Sequence, residues 1–186
     1  MIRLEYFDRN DFQQLIDWIQ DEYLLANWSG AMFRFPLTED SLEWYINDTN
    51  NKEASDAFVY KAVDAESGQT VGHISLGGIS RKNKSARISR VLVGNTAERG
   101  KGYCTAMITA VLRVAFDDLK LHKVSLGVYD FNKAAIRCYQ KAGLSIEGTL
   151  RDVLKFGNEY WSIIEMGMLE HEWRALQHVS VVPEDE

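Results

Sequence analysis

The chain has 186 residues, 46% hydrophobic and 26% charged, which suits one compact domain with its own core. Its formal net charge of −6 speaks against nonspecific nucleic-acid binding, which needs a basic footprint, and it shows neither an apolar run of membrane-span length nor a His/Cys cluster at metal-ligand spacing. Met1-Ile2-Arg3-Leu4-Glu5-Tyr6-Phe7 carries no long apolar leader segment, so the expected place is the cytoplasm, where Cys104 and Cys138 would remain thiols.

Residues 2–7 alternate Ile2, Leu4 and Tyr6 with Arg3 and Glu5, which predicts a strand. Asn10, with Gln13 three residues on, reads as the N-cap of a helix carrying Phe12, Leu15, Ile16, Ile19 and Tyr23 at helical spacing. Residues 26–37 read as a loop rich in aromatics (Trp28, Phe33, Phe35), and a second helix is expected after Thr38 with Leu42, Tyr45 and Ile46 on one face. Strands follow at 57–65, 69–78 and 86–93, with turns at Ser67-Gly68 and Lys82-Asn83-Lys84.

A long helix is predicted from about 102 to 119, with Ile108, Leu112, Ala115, Phe116 and Leu119 in one stripe and Met107, Val111 and Val114 beside it. Residues 123–129 form a strand, Asn132 caps a helix ending at Ala142, and Gly143 supplies the residue after its end. Two last strands, about 144–152 and 159–169, close a domain spanning 1–178, and 179–186 is a frayed tail. The order β-α-α-β-β-β-α-β-α-β-β makes an α+β (mixed α/β) fold, a central mixed sheet flanked by helices. The helix between strands 86–93 and 123–129 requires a crossover, so those two strands are expected to be parallel.

The informative stretch is Val91-Leu92-Val93-Gly94-Asn95-Thr96-Ala97-Glu98-Arg99-Gly100-Lys101-Gly102-Tyr103-Cys104. A strand runs through a glycine-rich loop into a long helix. Backbone N–H groups at such a helix start, with the dipole behind them, suit a pyrophosphate. Gly100 and Gly102 let the main chain approach an anion, and Arg99 and Lys101 add positive charge. Neither the nucleoside-triphosphate loop nor the dinucleotide fingerprint fits: Asn95 stands five before Gly100, and Thr105 stands where the third glycine belongs.

Arg99-x-x-Gly102-x-Cys104 resembles the acyl-CoA pyrophosphate motif of the GNAT N-acetyltransferases. Asn132-x-x-Ala135-x-x-x-Tyr139-x-Lys141-x-Gly143-Leu144 resembles the second signature of that family. Leu121-His122-Lys123-Val124 and Ile146-Glu147-Gly148-Thr149-Leu150-Arg151 look like the branch that acetylates ribosomal-protein N-termini and polyamines. The resemblance covers about 86–170, and there are two departures: Cys104 where Gly or Ala is usual, and Leu144 where Phe is common.

The resemblance implies acetyl transfer from acetyl-CoA to a primary amine (a small amine, a polyamine or a protein N-terminus) by direct attack, with CoA as product. It implies a bulge in strand 86–93 that splays it from strand 123–129. It assigns the cofactor to Val91, Leu92, Val93, Arg99, Gly100, Lys101, Gly102, Tyr103, Cys104, Thr105, Asn132, Ala135 and Tyr139; composition, spacing and charge for their part call for no metal and no membrane or nucleic-acid partner. Val91 and Val93 would pair with pantetheine through their main chain. Tyr139 is either the acid that protonates the departing thiolate or a packed aromatic beside Ile136. Cys104 either fills the small-residue slot or, as a thiolate at a helix start, forms an acyl-cysteine. Glu165, Ser89, His73, Asp152 and Glu159 remain open as the general base. Trp28, Phe33, Phe35, Tyr160 and Trp161 would serve as cation-holding faces, a lid or a homodimer contact. A different class of protein, a CoA-binding sensor without turnover, remains the alternative.

Overall fold

A computed structural model describes residues 1–94 and 100–179. Their sheet has seven strands: β1 (Ile2–Tyr6), β2 (Phe58–Asp64), β3 (Thr70–Ser80), β4 (Ser85–Val93), β5 (Lys123–Tyr129), β6 (Ser145–Phe156) and β7 (Glu159–Leu169). Their spatial order is β1-β2-β3-β4-β5-β7-β6. Every pair is antiparallel except β4 with β5, which the crossover makes parallel as expected.

The N-terminal helices divide differently from the expectation. Asp8, not Asn10, caps a short 3-10 turn over Arg9–Asp11, and Asp11 completes a capping box with it. Helix α1 (Phe12–Trp18) then stops, because Asp21 caps a new helix, α2 (Glu22–Ser29), by accepting from the Leu24 N–H. The expected loop at 26–37 is therefore helical through Ser29. Helix α3 (Glu39–Ile46) starts after Thr38, its N-cap, as predicted. These helices cover one face of the sheet with a core of Phe12, Leu15, Leu25, Trp28, Phe33 and Leu42.

The opposite face packs on α4 (Tyr103–Arg113), which continues into a wider π-type turn over Val114–Asp118. Met107, Ile108, Val111, Leu112, Ala115 and Phe116 are fully buried there. Helix α5 (Lys133–Lys141) runs from the Asn132 cap, and Gly143 follows it at φ +100°. A C-terminal helix, α6 (Glu170–Val179), was not anticipated. Trp173 anchors it, stacked on Phe116 at 5.9 Å with its Nε1 donating to Asp117 at 3.0 Å. Residues 180–186 of the expected tail lie outside the described residues. Among the described residues no helix is long and apolar enough to cross a membrane.

Candidate active site

The sheet opens at its middle. Strands β4 and β5 pair only through Ser85, Ala86 and Arg87 opposite Lys123, Val124 and Ser125. Beyond that point β4 stays with β3 and β5 stays with β7, so the two parallel strands part. The cause lies in β4. His73 faces Leu92 but Ser75 faces Ser89, so one residue of β3 spans two of β4. Arg90, in that extra position, has φ +52°. This is the expected bulge, and such an insertion bends its strand.

The parted strands wall a cleft of about 750 Å³, within the range of small-molecule sites. One end meets the start of α4. Gly100 and Gly102 sit there at φ +86° and +83°, and no atom of the described residues stands within 4 Å of where a Cβ would project from either. Among the described residues, no side chain caps the first turn of α4. A glycine-led helix start of this kind is where an anion can be held by main-chain N–H groups.

The expected cofactor residues divide into groups. Val91, Leu92, Val93, Gly100, Gly102, Tyr103, Cys104, Thr105, Asn132, Ala135 and Tyr139 all line the cleft. Leu92 is buried among the N-terminal helices and Val91 and Val93 pack against the other core, so these three offer main-chain groups. The Tyr103 hydroxyl turns away, donating to Asp64 at 2.8 Å. Lys101 is exposed and is not among the residues walling the cleft. Arg99, with Asn95 to Glu98, falls outside the described residues. Asn132 acts as a cap, its Oδ1 accepting from the Ala135 N–H at 3.2 Å.

Tyr139 is 6% exposed. Burial raises its pKa, which keeps the phenol protonated. The two cysteines depart from the expectation of free thiols: Cys104 and Cys138 are joined in a disulfide with Cα atoms 6.2 Å apart. The bond ties the first turn of α4 to α5 beside Tyr139. Bonded this way, Cys104 has no thiol for an acyl-enzyme route.

The candidate bases sort by surroundings. His73 is fully buried, ringed by Phe7, Trp28 and Tyr45, and its pKa is lowered to about 3, first by burial and then by the Arg90 charge. Glu165 is engaged by Arg87 in two bonds of 2.8 and 2.9 Å. Ser89 lines the cleft with its hydroxyl 3.1 Å from that of Ser75. Asp152 and Glu159 belong to the β6–β7 hairpin and do not line the cleft.

The aromatic residues expected to form an acceptor pocket are also placed differently. Trp28 and Phe33 are buried and stacked at 5.7 Å, Trp161 is buried against Tyr129 and Phe156, and Phe35 and Tyr160 are exposed. Of these five, Trp28 alone lines the cleft, where Tyr23, Asn27, Arg90, Tyr129 and Ile163 join it. Arg90, Arg137 and Lys141 went unassigned from sequence. The i, i+4 spacing of Arg137 and Lys141 on α5 was the available signal for that pair.

A parallel pair forced open beside a glycine-led helix, with a protonated phenol on the wall, is the arrangement expected of an acyl-CoA-dependent N-acyltransferase. Residues 2–145 match the acetyltransferase (GNAT) domain. The SPbeta prophage-derived uncharacterized N-acetyltransferase YokL of Bacillus subtilis (strain 168) is 31% identical over 153 residues, 82% of each chain. The aminoglycoside N(6')-acetyltransferase type 1 of Klebsiella pneumoniae is 24% identical over 154 residues, 80% of this chain and 76% of that one. The crystal structure of spermidine N-acetyltransferase from Vibrio cholerae in complex with CoA and spermine shares the fold, with a TM-score of 0.79 at 21% identity over 93% of this chain and 98% of that one. The chain belongs to the GNAT acetyltransferase family and is an acetyl-CoA-dependent N-acetyltransferase.

Proposed function

We propose that the cleft holds acetyl-CoA between β4 and β5, and that a primary amine enters from the side of α2 and attacks directly. The observation that carries this reading is the parting of β4 from β5 beyond Arg87 and Ser125. It leaves main-chain groups of Ser89 to Val93 without a β5 partner; the Ser89 and Arg90 carbonyls are taken by Ser75 and Trp28, and those that face away from β3 beyond them are available to the amides of a pantetheine arm. Gly100, Gly102 and the first turn of α4 fit the pyrophosphate, and Arg137 and Lys141 bring charge to the same cleft. The bound donor supplies an activated acyl group.

The residues of this chain do three things. The main chain at the β4 bulge offers N–H donors to the carbonyl oxygen where charge develops. Asn132, its Oδ1 used in the cap, keeps its Nδ2 donors for the cofactor. Tyr139, held protonated, passes its proton to the departing sulfur. The amine must lose a proton before attack, and Ser89 is the hydroxyl nearest the bulge through which water can take it. The acceptor class includes small amines, polyamines and protein N-termini. We place the reaction in the cytoplasm, a compartment whose thiol pool reduces exposed disulfides.

The test is CoA release from acetyl-CoA with a panel of amines, together with the thermal shift given by CoA alone. Turnover on any amine supports the reading. A CoA-induced shift without turnover on any amine would indicate a binding module.

A further inference from the structure

We infer that the acceptor is an amine that also carries a carboxylate, and that Arg90 is the residue that reads it. The inference rests on the acetyl-transfer reading above and narrows its acceptor.

The observation is the charge of the cleft wall. Among the described residues, no Asp or Glu lines it. Its cations are Arg87, Arg90, Arg137 and Lys141. Arg137 and Lys141 lie on α5, on the side of the α4 start. Arg87 is neutralised by the two-bond pair with Glu165. That leaves Arg90 as the one cation of the acceptor end that no carboxylate among the described residues approaches within salt-bridge distance.

Arg90 is also fixed in place. Its carbonyl accepts from Trp28 Nε1 at 2.9 Å. Its Nη1 donates to Ser89 Oγ at 2.7 Å, its Nε faces Met32 Sδ at 3.1 Å, and its guanidinium lies 5.3 Å from the centre of the Tyr45 ring. Nη1 also lies 3.5 Å from Ser75 Oγ, and Nη2 has no hydrogen bond among the described residues. A guanidinium held through Nε and Nη1, with the Nη2 donors left for a further acceptor, is preorganised for an oxyanion.

A polycation entering this end would bring several charges to a wall with no countercharge. An amine with a carboxylate a few bonds away would bring one charge of each sign. Arg90 is the bulge residue itself, so its guanidinium lies within one side-chain length of the main chain proposed to hold the acyl carbonyl. That reach suits an amino acid or a similarly compact amino acid-like compound.

The test uses the full chain with acetyl-CoA and measures kcat/KM for the common α-amino acids, for their amides and for spermidine. The amide has the less basic amine and thus more free amine at neutral pH, so a preference for the acid cannot come from basicity. Some amino acid should exceed its own amide on the order of tenfold to hundredfold, the range of a charge-assisted hydrogen bond, and should exceed spermidine. R90Q should remove that gap, and R90K should restore part of it. The inference is overturned if amides match acids, if spermidine is the best acceptor, or if the gap survives R90Q. In those cases amines are still acetylated and the broader reading stands. If no amine of any charge turns over, both fail together.

Discussion

Trp28 donates its Nε1–H to the carbonyl oxygen of Arg90 at 2.9 Å, a bond from α2 to the bulge of β4. It connects the helical layer with the strand proposed to present the acyl group. Trp28→Phe keeps an aromatic ring against Phe33 but leaves that carbonyl unpaired. We expect a loss of about 1–3 kcal/mol in stability, read as a lower denaturant midpoint. The bulge should also shift, lowering kcat/KM on the order of tenfold or more, since small misplacements are costly. Unchanged kinetics in Trp28→Phe would show that the bond is not needed to hold the bulge.

Tyr139→Phe removes the proposed proton donor and nothing of the ring. kcat should fall on the order of 10²–10⁴, while KM for acetyl-CoA changes little. The fall should be smaller when the leaving thiol is made more acidic, because such a thiolate departs without help. A uniform fall with every thioester would count against the assignment.

His73 makes folding depend on pH in a definite direction. In the unfolded chain it titrates near its ordinary value of 6.5, and in the fold burial holds it at about 3. Between these values the unfolded chain binds a proton that the folded chain does not, so stability falls as pH drops from 6.5 toward 3. The slope from this residue is about 1.4 kcal/mol per pH unit. Urea midpoints measured from pH 7 to pH 5 should fall more steeply for the wild type than for His73→Gln. Parallel curves would mean that His73 is not the titrating group.

The Cys104–Cys138 bond closes a segment with a sequence separation of 34 residues. Loop-closure entropy alone assigns it roughly 4 kcal/mol. Oxidised wild type should therefore unfold at higher denaturant than either the reduced protein or Cys138→Ser, and those two should resemble each other. Equal midpoints for all three would mean that the bond does not form or does not stabilise. Because the bond joins the walls of the cleft, affinity for CoA is the second quantity to compare.

Much of the architecture was legible because alternation and helical spacing report burial directly. The strand read from Ile2 and Leu4 and the wide stripe of 108–119 both appear as expected, although Tyr6, at the end of that strand, is exposed. Other features depend on relationships that the local pattern does not carry. The break between α1 and α2 comes from Asp21 competing as a cap within a pattern that reads as continuous. Helix α6 starts directly from β7 without an intervening turn residue, and its sign was the single Trp173. The bulge arises from register between β3 and β4, and it falls on Arg90 rather than on a glycine that would mark it. The disulfide pairs residues on separate helices. Arg90 itself reads as an ordinary strand residue until Ser89, Tyr45 and Trp28 are brought around it.

The short seam between β4 and β5 has a mechanical consequence. Along that line β4 and β5 face each other through three residue pairs, flanked by the Arg87–Glu165 pair, so a guest bridging the gap beyond them would act as an added rung. Hydrogen exchange should show it: amides of Ser89 to Val93 and Gly127 to Tyr129 ought to slow together when CoA is added, while those of β1 and β2 keep their own pace.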